Sequence, residues 1–126
     1  MGQDIPKSIM VIGNDSHFSY LMRRYVKESA HPLVFSSLDE NVLATILKEN
    51  PLLIVLEIGL PETMGWHVLQ KIKSHPAVCH TPVILCSWQD DRERGYKEGA
   101  EVYLQMPILY GDFLAALAAV GVKNGA

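Results

Sequence analysis

Four stretches carry side chains with chemical reach. The first is Glu57, a carboxylate that closes the apolar run 52–56 within PLLIVLEIGLPETMGW, Pro51 to Trp66. The second is Gly13-Asn14-Asp15, directly after the apolar run 9–12. The third is Ser87-Trp88 and the fourth Met106-Pro107, each behind a further apolar stretch. Carboxylates beside a hydroxyl are part of what phosphoryl transfer to a side chain requires. That reaction also needs hard oxygen ligands for a divalent cation and a positive group to meet the transferring charge. Ser87 supplies a hydroxyl, and Asp15 and Glu57 supply carboxylates. No lysine or arginine stands in any of the four stretches.

The elements that must position these residues follow from periodicity. Strands are predicted over 8–13, 32–36 (weakly), 52–57, 82–86 and 102–105. Helices are predicted over 16–29, 39–50, 64–74, 90–98 and 110–122. In the first helix Phe18, Leu21, Met22, Tyr25 and Val26 share a face, with Asp15 or Ser16 as its cap. In the second, Val42, Leu43, Ile46 and Leu47 point inward, and in the third Val68, Leu69 and Ile72. Gly99 stops the fourth helix. Continuous rather than alternating apolar strands imply a sheet covered on both faces. Strands alternating with helices then imply a doubly wound parallel α/β sheet. Five such units fit the flavodoxin-like (βα)5 arrangement with strand order 2-1-3-4-5, whose site lies at the carboxyl ends of the strands beside the first and third. The whole chain, 1–126, is expected to be one domain with an ordered core of about 7–122.

The strand that ends in Glu57, the short loop holding Pro61 and Gly65 at the head of a helical pattern together resemble the bacterial response-regulator receiver domain, the CheY-like family. The resemblance covers nearly the whole chain. It implies a signalling role in a phosphorelay-type, two-component system. It also implies that Glu57 stands where receivers carry the phosphoacceptor aspartate, and Gly13 and Asn14 where they carry the acidic pair that helps hold magnesium. Ser87 keeps the hydroxyl position of the fourth strand. Met106 replaces the lysine before proline, and Trp88 replaces a small residue that leaves the pocket open. Tyr103 matches the aromatic that swings between inward and outward rotamers.

Each departure has a physical consequence. Gly13 has no side chain and Asn14 offers a neutral carbonyl, so Asp15 and Glu57 alone make a poor magnesium cage. Met106 cannot neutralise a developing phosphoryl charge. The glutamate carboxylate is displaced by one methylene and is expected to approach Ser87, as a phosphoryl oxygen would. Asp15 is read first as a helix cap. The resulting expectation is a degenerate, non-enzymatic receiver that works through protein-protein contact. It has no catalytic residue and no cofactor, and magnesium binding is weak or absent. Two rivals stand beside it: a working phosphoacceptor with unusual site residues, and a small-ligand module using the same crevice.

Composition narrows the classes further. The net charge of -3 advertises no nucleic-acid or membrane surface. No apolar stretch approaches the roughly 20 residues that span a bilayer, and MGQDIPKS is no signal peptide. The cysteines, Cys79 and Cys86, suit a reducing cytoplasm as free thiols. His75 and His80 bracket a proline loop without zinc spacing, so no metal site is expected. No glycine-rich nucleotide motif is present. The sequence stops just after the predicted fifth helix, so no DNA-binding output domain is expected within it, and the chain is expected to be either a stand-alone regulator or an excised module of a longer protein. That last helix, YGDFLAALAAVGV, carries no charge from Phe113 to Val122. With Phe113, Leu114, Leu117 and Val120 turned inward, Ala115, Ala116, Ala119 and Val122 are left for the outside or its edges. They form the expected surface for a protein partner or a second copy.

Overall fold

The computed structural model describes residues 7–39, 41–59 and 62–122. In chain order the elements are β1 (Ile9–Ile12), α1 (Ser16–Lys27), β2 (Leu33–Ser36), α2 (Val42–Glu49) and β3 (Leu53–Ile58). They continue with α3 (Glu62–Ser74), β4 (Val83–Ser87), α4 (Arg92–Lys97), β5 (Val102–Gln105) and α5 (Tyr110–Ala119). The strands form one parallel sheet in the order β2-β1-β3-β4-β5. The predicted arrangement is the observed one. Pro61, part of the motif quoted above, lies outside the described residues.

The two covered faces are separate cores. Met10, Ile12, Ile54, Leu56, Val83 and Leu85 meet α2 and α3 on one side. Ile9, Val11, Leu53, Val55, Ile84 and Cys86 meet α1 and α5 on the other. Alternation along each strand produces this split, and every residue of β1, β3 and β4 is buried. The edge strand β2 is only half-buried, which is why its sequence signal is the weakest.

Helix ends depart from the predictions for local reasons. The start of α2 moves from Asp39 to Val42, because Asp39 Oδ1 accepts the Asn41 N–H at 2.9 Å and closes a turn ahead of the helix. The fourth helix shortens to six residues, its preceding loop being tied elsewhere, as described below. At its far end Gly99 takes a left-handed φ of 104°, as its role as a stop predicts.

The last helix corrects the sequence reading most. It ends at Ala119, and Gly121 adopts a φ of 78°. The Val122 N–H then returns to Leu117 O at 2.9 Å and the Gly121 N–H to Ala118 O at 3.1 Å. This left-handed closure folds Val122 back into the α1/α5 core. Ala116 lies three residues after Phe113, on the same face, and is 3% exposed. Ala116 and Val122 therefore belong to the core and not to the outer surface. From Phe113 to Val122 the exposed residues are Ala115, Ala118, Ala119 and Gly121.

Candidate functional site

The carboxyl ends of β1, β3 and β4 open on a crevice of about 590 Å³. Of the residues singled out above, Asn14, Asp15, Glu57, Ser87 and Trp88 line it. Leu38, Ile58, Gly59, Glu62, Met64 and Gln89 complete the wall. Sequence reasoning missed these six. Glu62 had one usable signal, an acidic residue in the first turn of α3, but the helix was started two residues too late.

Glu57 is 3% exposed, so it is no solvated strand end. Its Oε1 accepts the N–H groups of Asn14 at 3.0 Å and Asp15 at 3.2 Å. The side chain thus leans from β3 onto the β1–α1 turn. Gly13 makes the lean possible: a Cβ there would lie 2.5 Å from Glu57 Oε1 and 2.9 Å from Glu57 Cβ. The longer carboxylate occupies the space that any side chain at position 13 would need. Burial pushes the Glu57 carboxyl above the usual range, against the pull of the Asp15 and Asn14 amides. Burial, and after it the Glu57 charge across the strand pair, likewise pushes up the Cys86 thiol, leaving it an unreactive core residue.

The expected approach of Glu57 to Ser87 is not what the structure holds. Ser87 Oγ instead accepts the Gln89 N–H at 3.1 Å, a turn contact. Ser87 pairs with Ile58 in the ladder, one residue beyond Glu57, so the two side chains leave the sheet with opposite parity.

The neighbouring polar groups are also occupied. Asn14 Oδ1 accepts the Leu38 N–H at 2.9 Å, and its Nδ2 donates to Leu38 O at 3.4 Å. Asn14 is thereby a clamp between two loops. Asp15 Oδ1 accepts the His17 N–H at 2.9 Å and caps α1, the role the sequence favoured. Met106 packs in the α1/α5 core and does not line the crevice. Trp88 leaves the crevice open: it is 59% exposed at the rim. The positions where receivers carry the acidic pair thus offer a glycine and a clamped amide, and the neighbouring Asp15 is a helix cap, which together do not fit the ion's need for several free hard oxygens. Among the described residues no cluster of three histidine, cysteine or acidic side chains could hold a metal.

Tyr103 points inward and is 3% exposed. Its hydroxyl donates to Gln89 O and accepts the Asp91 N–H at 3.0 Å, tying β5 to the β4–α4 loop. Gly95 permits this packing, since a Cβ there would meet Tyr103 Cδ2 at 2.7 Å.

The model of the response regulator receiver domain family matches residues 9–118. The transcriptional regulatory protein HprR of Escherichia coli strain K12 is 30% identical over 114 residues, covering 88% of this chain and 50% of that protein. This chain spans about half the length of such regulators. Among solved structures, the bacteriophytochrome response regulator RtBRR superposes with a TM-score of 0.79 at 21% identity, over 96% of this chain and 81% of that one. The chemotaxis response regulator CheY4 of Vibrio cholerae gives 0.79 at 14% identity, over 91% and 98%. At these identities the superpositions speak for the fold alone.

Proposed function

The chain belongs to the response regulator receiver domain family, a module of two-component signalling, and we propose that it is a receiver that carries no phosphoryl group and acts by protein-protein contact. The observation that carries this reading is the Glu57 carboxylate folded over Gly13 onto the Asn14 and Asp15 amides. The carboxylate that would accept a phosphoryl group is committed to holding a turn. The polar side chains that would ligate magnesium are committed to Leu38 and His17. Met106 lies in the core where the family motif has a cation, so the charge of a transferring phosphoryl group finds nothing to balance it.

In this reading the whole chain is one receiver unit, not an enzyme, and magnesium binding is weak or absent. Tyr103 is held in one rotamer by the β4–α4 loop. The partner is a protein or a second copy, met by the outer face of α5 at Ala115 and Ala119, and neither nucleic acid nor a membrane is contacted directly. The location is cytoplasmic; no helix among the described residues is long and apolar enough to cross a membrane. Incubation with acetyl phosphate and magnesium, followed by intact mass, tests the reading; the unmodified mass is expected.

A further inference from the structure

The crevice has lost its family cation but kept a buried carboxylate. Glu57 lines it, and only Oε1 of that side chain is hydrogen-bonded among the described residues. Oε2 has no protein partner there. The other charged residues in the wall are Asp15 and Glu62, both acidic, and no lysine, arginine or histidine lines it among the described residues. A largely buried carboxylate with only acids for neighbours lacks a counter-charge.

We propose that the crevice binds an organic cation, an alkylammonium or guanidinium group, placed against Glu57 Oε2. The inference rests on the reading that no phosphoryl group occupies this space. The shape favours an organic cation over a bare metal ion. About 590 Å³ far exceeds the volume of an ion, and the metal-ligating positions are otherwise engaged. Leu38, Ile58 and Met64 provide an apolar wall for a methylene stem. Trp88 stands 59% exposed at the rim, where its ring face can take a cation.

Burial already holds the Glu57 carboxyl high, with Asp15 adding to the effect and the two amides opposing it. A cation beside it draws the proton off, so affinity falls as pH is lowered and Glu57 becomes neutral. Asp15 and Glu62 face the same space.

The test is a titration with n-butylammonium and n-propylguanidinium, with n-butanol as the uncharged control. It is followed through the Asn14 and Asp15 amide resonances and the Trp88 indole. Saturable shifts with affinity on the order of millimolar are expected for the cations, and none for butanol. Glu57→Gln keeps an oxygen for both amides and is expected to bind about tenfold more weakly or worse. The pH series on the unaltered chain is a second arm that needs no substitution. An acetyl-Gly-Lys-Gly-amide peptide distinguishes the sources: tighter binding than butylammonium assigns the cation to a partner's side chain, and weaker binding to a free amine. Equal shifts with butanol, or affinity indifferent both to pH and to Glu57→Gln, would overturn the proposal. A phosphoryl adduct from acetyl phosphate would defeat the functional reading while leaving the amine titration to give its own answer.

Discussion

Glu57 and Gly13 occupy the same small volume from two strands. A methyl at position 13 forces the Glu57 carboxylate off its amides, since the clash at 2.5 Å involves the very oxygen they bind. Gly13→Ala is expected to cost about 1–3 kcal/mol. In a Glu57→Asp background, where the carboxylate is shorter, the same change is expected to cost less by at least ~0.5 kcal/mol. A double-mutant cycle by urea unfolding measures this coupling, and strict additivity would refute it. Glu57 also sets a pH dependence. Its folded pKa is raised, so the folded chain holds the proton more tightly than the unfolded chain. Stability is fully present below the ordinary glutamate range and declines as pH rises through the folded value. Glu57→Gln should remove that decline and leave the variant more stable than wild type at neutral pH. Thermal melts across pH report it, and parallel curves for the two proteins would contradict it. The sequence marks Glu57 as a strand end by the apolar run before it. The direction of its carboxylate depends on a glycine 44 positions away in the chain, a pairing no local pattern encodes.

Helix α5 shows the same division between what periodicity carries and what a terminus decides. Its apolar composition reads the same on all sides, so the sequence alone divides the alanines by guess. Phe113 and Leu117 fix the buried face, and Ala116 falls on it; Gly121 then turns Val122 inward. The strands are legible because continuous apolar runs leave little choice. The helix starts are less so, because Asp39 and the Tyr103 hydroxyl hold loop backbone that propensity assigns to helices. Charge on this helix should therefore separate two effects. Ala116→Glu buries an unpaired carboxylate and should cost at least about 3 kcal/mol. Ala119→Lys lies outside and should change stability by no more than about 0.5 kcal/mol. If α5 is the contact surface, Ala119→Lys abolishes concentration-dependent association in light scattering while the melting temperature holds. A wild type that stays monomeric, with a partner retained equally well by Ala119→Lys, would remove α5 from the account.

Across the molecule, the parallel sheet brings β1, β3 and β4 to one edge and so gathers residues that lie far apart in sequence. That convergence was legible from strand order alone: Asn14, Asp15, Glu57, Ser87 and Trp88 line one crevice, whereas Gly13, expected beside them, does not. It failed for Met106, whose side chain the α1/α5 core takes in, and for Glu62 and Met64, which enter from the first turn of α3. A receiver sheet here supports a crevice without phosphoryl chemistry. The measurement closest to that claim is the intact mass of the protein after incubation with acetyl phosphate and magnesium, taken at neutral pH before any acyl phosphate hydrolyses. A single species at the unmodified mass is expected. A phosphoryl adduct mapped to Glu57 would contradict it.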